Sequence, residues 1–280
     1  MESTVWIAAC AMLLPFLLLP GCNFQYRMLY YPDPTQPSQA AIAEKGLRTW
    51  PGAGEVFRGF VGGVDSSRSR GTFIVFHGNG GTAFDRDYFA QALGKLGYRV
   101  ILAEYPRYGG RGGELGEAAF VRDARETVDL AYGRYGEPIY LLGESLGCGV
   151  VSAVAASSSV PLAGMVLITP WDTLRSVAQH HFRIIPVRLF LKDSYDNVAN
   201  LLSFRGKVAV VGAERDGIIP IRHARNLYCA LATPERKMWV LERAGHNDWL
   251  LRVNQSWWRE IVDFVAGAGG EGAAVPPAGE

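Results

Sequence analysis

One serine in the chain has the surroundings of a nucleophile. Gly143-Glu144-Ser145-Leu146-Gly147 follows the apolar run Pro138–Leu142 and precedes the small-residue run Cys148–Ala156. A strand that turns into a helix through so few residues holds the serine in a strained backbone conformation and exposes its hydroxyl. The glycines leave room for the close approach, and the helix N-terminus aims free N–H groups and partial positive charge at the same spot. The alternative for such a stretch is a glycine-rich turn carrying a solvated serine.

A serine hydroxyl attacks only when a base takes its proton. Five histidines are available. His77 lies in a glycine loop, His180 and His181 in a long insert, and His223 within a predicted helix. His246, in Ala244-Gly245-His246-Asn247-Asp248, follows the last predicted strand and is the expected base. An imidazole base needs a carboxylate to fix its tautomer. Asp216, just past the strand Lys207–Gly212, falls between Ser145 and His246 in chain order and is the expected partner. Glu214 and Asp248 are its rivals. Glu214 sits nearer the strand end, and Asp248 is too close in sequence to His246 to reach its ring easily.

The oxyanion of an acyl-transfer intermediate needs N–H donors. The Leu146 amide is the first expectation. The second donor should come from the loop His77-Gly78-Asn79-Gly80-Gly81, with the Asn79 N–H first, Gly80 second, and the Asn79 side chain a further option. Gly80 and Trp171 are expected to touch substrate. No Lys-Ser/Thr follows these glycines, so a phosphate cradle is excluded. Gly110-Arg111-Gly112-Gly113 lacks the register of a dinucleotide loop. No metal or other cofactor is expected.

These residues need a frame that brings distant segments to one rim. Short apolar runs at Thr72–Phe76, Arg99–Glu104, Pro138–Leu142, Leu162–Thr169, Lys207–Gly212 and Lys237–Leu241 read as strands. Helical spacing separates them, over about Phe84–Leu96, Glu117–Tyr135, Cys148–Ala156, Ile221–Leu231 and Trp249–Val265. Within Glu117–Tyr135 the expected core face is Ala118, Val121, Ala124, Val128 and Ala131. Apolar strands alternating with helices predict an α/β fold with a mostly parallel sheet covered on both faces. Right-handed crossovers then align the strand C-terminal ends along one edge. Residues 171–204 interrupt the alternation as a helical, basic and apolar lid. The tail from Gly267 to Glu280 is too rich in Gly, Ala and Pro to form a core and reads as disordered.

Composition agrees with one folded domain. The chain has 280 residues, 49% of them apolar, and a net charge of +1. So balanced a charge gives no field that would favour nucleic acid. Four cysteines in a chain of this length are too few for a disulfide framework and lie at no zinc-like spacing.

The N-terminus reads as an address. Residues Val5–Pro20 are apolar and uncharged. As a helix they reach about 24 Å, short of the roughly 30 Å hydrocarbon layer. They fit a secretory h-region better, and Leu19-Pro20-Gly21-Cys22 resembles a bacterial lipobox, which implies lipidation of Cys22 and a membrane-anchored lipoprotein facing the periplasm or outside. The second reading is an uncleaved signal anchor, with Arg27 favouring a cytoplasmic body. The expected organisation is a leader or anchor over 1–22, a membrane-proximal linker over 23–49, and a catalytic domain over 50–266.

The motifs together resemble the α/β-hydrolase superfamily, and within it the serine aminopeptidase-like and dienelactone-hydrolase-like lipases and esterases and the membrane depalmitoylases. The likeness rests on Phe76-His77-Gly78-Asn79-Gly80-Gly81, Glu104-Tyr105-Pro106-Arg107-Tyr108-Gly109, the turn around Ser145, Glu214-Arg215-Asp216 and Gly245-His246-Asn247-Asp248. It covers about residues 50 to 265. It implies a serine hydrolase acting on a small or lipid-like acyl substrate, an ester or thioester first and an amide second. A binding scaffold on the same fold is the alternative from a different class. Arg175, Arg183, Arg188 and Lys192, interleaved with Ile184, Ile185, Leu189 and Phe190, suit either a solvated cap face or contact with an anionic lipid surface.

Overall fold

The computed structural model describes residues 21–64 and 68–267. The expectations for the apolar leader, the Cys22 side chain and the tail beyond Gly267 lie outside the described residues. In chain order the elements are α1 (Gly21–Leu29), β1 (Tyr31–Pro32), α2 (Gln39–Glu44), β2 (Arg48–Trp50), β3 (Gly59–Gly63), β4 (Thr72–Phe76), β5 (Gly80–Gly81), α3 (Asp87–Gly94), β6 (Arg99–Ala103), α4 (Glu117–Tyr135), β7 (Ile139–Glu144), α5 (Leu146–Ser157) and β8 (Leu162–Ile168). They continue with α6 (Leu174–His181), α7 (Asn197–Leu201), β9 (Lys207–Ala213), α8 (Arg222–Ala230), β10 (Arg236–Leu241) and α9 (Gln255–Ala266).

Eight strands form one sheet in the order β10-β9-β8-β7-β4-β6-β3-β2. The pairings from β10 through β6 are parallel, while β3 joins β6 and β2 joins β3 antiparallel. This is the α/β-hydrolase fold, a mostly parallel sheet with helices on both faces. Strand β4 shows why both faces need cover. Phe73 and Val75 join one apolar cluster with Phe89, Trp258 and Ile261, while Ile74 and Phe76 join the other with Phe120, Val128 and Val150. Alternating side chains point to opposite faces of a strand, and a fully buried residue of this size is stabilised by about 1.5–3 kcal/mol.

Several elements differ from the sequence expectations. The antiparallel edge of β2 and β3 was not expected, because Gly59-Phe60-Val61-Gly62-Gly63 is poor in β-branched residues and Arg48-Thr49-Trp50 is short. Residues 23–49, expected to be a linker, carry two helices, the edge strand β2, and β1, which pairs with β5. The helix expected from Phe84 starts as a 3-10 turn over Ala83–Arg86. Its N-terminus is closed by the Asp85 carboxylate, which accepts the Thr82 amide at 2.8 Å and hydroxyl at 3.0 Å. The helix expected from Trp249 is interrupted. Asn254 caps α9 by accepting the Trp257 N–H at 3.0 Å, behind a separate 3-10 turn over Trp249–Arg252. In α4 the buried residues are Ala119, Phe120, Ala124, Thr127, Val128 and Ala131, while of the expected face Ala118 is exposed and Val121 only half-buried. The insert between β8 and β9 is helical only over α6, a 3-10 turn at Val187–Leu189, and α7. Pro186 lacks the N–H that would carry helix through its middle.

Candidate active site

Strands β7, β8, β9 and β10 run parallel, so the loops leaving them share one rim. Three of those loops carry Ser145, Asp216 and His246. The Ser145 hydroxyl lies 2.9 Å from His246 Nε2, and His246 Nδ1 lies 2.7 Å from Asp216 Oδ2. Asp216 is fixed by its other oxygen, which accepts the Ile218 N–H at 2.9 Å and the Ile219 N–H at 2.7 Å. With its side chain 1% exposed, the carboxylate is an acceptor at every side, so Nδ1 carries the ring proton and Nε2 presents a lone pair to the serine.

The strain expected at Ser145 is present. Its φ is +52° and ψ −112°, a region that side chains with a Cβ rarely occupy. Two close approaches hold it there. A Cβ on Gly147 would fall 1.9 Å from the Phe76 carbonyl oxygen, so α5 can press this closely on β4 only with glycine at that site. A Cβ on Gly143 would fall 2.6 Å from the backbone of Gly147 and Cys148. Leu146 opens α5, where an amide has no acceptor within the helix.

The glycine loop after β4 passes beside this turn, with Gly78 close enough that a Cβ there would sit 3.6 Å from Ser145 Cβ. His77 is 1% exposed and spans two acceptors. Its Nδ1 lies 2.7 Å from the Gly78 carbonyl and its Nε2 3.0 Å from Glu104 Oε1. A planar trans peptide points its N–H opposite to its C=O. Holding the Gly78 carbonyl therefore also sets the direction of the Asn79 N–H. Glu104 is held in turn by the Ala83 N–H at 2.9 Å, and Tyr105 O–H donates to the His77 carbonyl at 2.8 Å. The His77–Glu104 pair was not anticipated as part of the site. The available signal was a histidine just after one apolar run, His77, and a carboxylate at the end of the next, Glu104.

The remaining residues take other places. The Asn79 side-chain amide donates to the Leu29 carbonyl at 2.9 Å, which turns that side chain toward the N-terminal stretch. Gly80 belongs to β5, paired with Tyr31. Trp171 does not offer its ring at the rim. It is 3% exposed, and its indole N–H donates to the Tyr195 carbonyl at 3.0 Å, clamping the insert to the strand end. Glu144, beside the nucleophile, accepts from Arg86 Nε at 2.7 Å, Tyr88 O–H at 3.2 Å and Trp249 Nε1 at 3.1 Å. Glu214 accepts the Arg243 N–H at 2.7 Å and Asp248 the Gly245 N–H at 2.5 Å, so both rivals of Asp216 shape the loops around it. His223 is buried against Asp172, with Nδ1 2.9 Å from Oδ1. Burial pushes the Cys148 thiol well above its ordinary range, which keeps it from competing as a nucleophile. A groove of about 930 Å³ lies at the antiparallel edge beside Trp50, Arg58, Arg111 and Asp123, and none of the three rim residues lines it. Among the described residues no group of three or more His, Cys, Asp or Glu is placed to hold a metal ion.

Known proteins point the same way. The serine aminopeptidase (S33) family model matches residues 67–192. An uncharacterised protein of Mycobacterium tuberculosis is 31% identical over 230 residues, covering 80% of this chain and 81% of that one. A lysophosphatidylserine lipase of Macaca fascicularis is 27% identical over 187 residues, covering 60% of this chain and 47% of the lipase. Among solved structures, an esterase of Pyrococcus furiosus superposes with a TM-score of 0.65 at 17% identity, over 85% of this chain and 96% of that one. In fold, in family match and in its relatives, the chain is a member of the α/β-hydrolase superfamily and a hydrolase.

Proposed function

We propose that the protein is a serine hydrolase that cleaves a carboxylic ester or thioester of a small or lipid-like acyl group through an acyl-enzyme. The observation that carries the reading is the relay of 2.9 Å and 2.7 Å from Ser145 through His246 to Asp216. These are the distances a general base needs. Ser145 Oγ adds to the acyl carbonyl, and its proton passes to His246 Nε2. Asp216 stabilises the imidazolium, while the N–H groups of Leu146 and Asn79 hold the oxyanion. Collapse breaks the bond to the leaving group, which takes the proton from His246. Water then repeats the sequence on the acyl-enzyme and frees the acid and Ser145.

The lysophosphatidylserine lipase relative favours an oxygen ester, while the serine aminopeptidase family model keeps an amide as the second substrate class. Fluorophosphonate labelling followed by peptide mapping is the test. Adduct on Ser145, lost in Ser145→Ala, supports the reading. An unlabelled wild-type protein indicates a binding scaffold instead. A panel of p-nitrophenyl esters, acyl-CoA thioesters and anilides then ranks the leaving groups.

We also propose that the chain is held at a membrane through its N-terminus, by a lipid on Cys22. The support is the apolar run Val5–Pro20 ending in the lipobox-like Leu19-Pro20-Gly21-Cys22. Mass spectrometry of the membrane-extracted protein tests it, because an intact Met1 would contradict cleavage at Cys22.

A further inference from the structure

The stretch that leaves the N-terminal apolar run is fastened to the oxyanion loop. Three contacts meet on one residue, Asn79. Its side-chain amide donates to the Leu29 carbonyl at 2.9 Å. Its own carbonyl accepts the Tyr31 N–H at 3.0 Å and the Tyr108 O–H at 2.7 Å. The Tyr31 N–H is shared, lying 3.1 Å from the Tyr108 hydroxyl oxygen. Beyond these contacts β1 pairs in parallel with β5, Tyr31 opposite Gly80 and Pro32 opposite Gly81. His77 already holds the peptide that precedes Asn79 through the Gly78 carbonyl. Both peptide planes flanking the Asn79 Cα, and its side chain, are therefore tied. Swinging the Asn79 N–H would therefore break at least one of these hydrogen bonds.

The same stretch grips the insert between β8 and β9. Tyr30 O–H donates to Asp193 Oδ2 at 2.7 Å and meets the Tyr195 hydroxyl at 3.0 Å. Gln25 Oε1 accepts the Lys192 N–H at 2.5 Å. Burial, with the neighbouring Tyr195 and Asp193, raises the Tyr30 phenol far above its ordinary range, and burial does the same for Tyr108. Both hydroxyls thus remain protonated donors.

We propose that residues 25–32 are a positioning strap for the oxyanion hole, acting through Tyr108 and the backbone and side chain of Asn79. The strap touches no reacting atom. It orients the Asn79 N–H before the oxyanion forms, so its contribution is realised in the transition state rather than in substrate binding. The inference rests on the reading of Asn79 as an oxyanion donor.

The test compares full-length wild-type protein with Asn79→Ala, which keeps the N–H and cuts the tie to Leu29, with Tyr108→Phe, which is isosteric, and with the double variant. A p-nitrophenyl ester gives kcat and KM. An alkyl boronic acid gives a Ki for a tetrahedral adduct, in which Ser145 Oγ bonds to boron and its proton passes to His246. A lost hydrogen bond is worth about 5-fold and a lost oxyanion donor about 100-fold or more, so kcat in each single variant should fall between those limits. KM should stay within about twofold, and Ki should weaken by the same factor as kcat, the signature of an interaction made only in the transition state. The double variant should lose at most about twofold more than the worse single, because both act on one residue. The proposal is overturned if Tyr108→Phe keeps kcat within twofold, if the losses fall on KM, or if they multiply. Fluorophosphonate labelling of wild type separates the two levels. Absence of labelling sinks the hydrolase reading itself, while normal labelling with indifferent variants sinks only the strap.

Discussion

Replacing Asp216 with Asn tests the relay at its most informative point. The two carboxylate oxygens are not equivalent. Oδ1 accepts two backbone N–H groups, from Ile218 and Ile219, and Oδ2 faces His246 Nδ1. An asparagine must keep its carbonyl oxygen toward the two amides, because its NH2 there would confront two donors. Its NH2 then occupies the position of Oδ2 and faces His246 Nδ1 as a donor. The ring answers by moving its proton to Nε2, which can no longer accept from Ser145. Shape, volume and the loop contacts are preserved, and only the tautomer changes. The expected loss in kcat is on the order of 10⁴-fold, or about 5.5 kcal/mol of transition-state stabilisation. The assay is p-nitrophenyl ester turnover alongside a thermal melt, and Tm should move by no more than about 4 °C, the shift that 1 kcal/mol produces in a domain of this size. An Asn variant within tenfold of wild type, in a protein that melts normally, would refute the assignment of Asp216 as the orienting carboxylate. An equal loss from Glu214→Gln would pass the role to the other candidate.

Two further outcomes follow from the same structure. Gly147→Ala places a Cβ 1.9 Å from the Phe76 carbonyl oxygen, backbone against backbone, and should destabilise the fold by about 1–3 kcal/mol or more while lowering activity, read by urea unfolding and ester turnover. Iodoacetamide on the native protein should modify the exposed Cys229 and spare the buried Cys148, whose thiol is pushed up by burial, as read by peptide mass spectrometry.

Legibility in the sequence followed the locality of the signal. Ser145 was readable because the turn that strains it is written in five consecutive residues between an apolar run and a small-residue run. Asp216 and His246 were readable because parallel topology sends every strand end to one rim, so position after a strand substitutes for contact. What stayed hidden depends on pairings between distant segments. Nothing in Tyr26–Pro32 announces that its backbone pairs with the loop after β4, since β1 is two residues long. The His77–Glu104 and Asp172–His223 pairs are separated by 27 and 51 residues. Their members share no periodicity that would link them. Trp171 is expected to meet substrate, but its indole is buried and donates to the Tyr195 carbonyl, a contact 24 residues away that its own surroundings in the chain do not signal. The lid's helical spacing runs out at His181, where α6 ends, and Pro186 leaves only a short 3-10 turn after it.

The relay joins residues 101 positions apart, and its base comes after β10, the last strand of the sheet. On the proposed mechanism, a refolding chain therefore has no base beside Ser145 until its final fifth has docked. Hydrolytic activity recovered after denaturation should reflect completion of the whole β-sheet rather than formation of any local piece, which makes the enzyme its own reporter of native assembly.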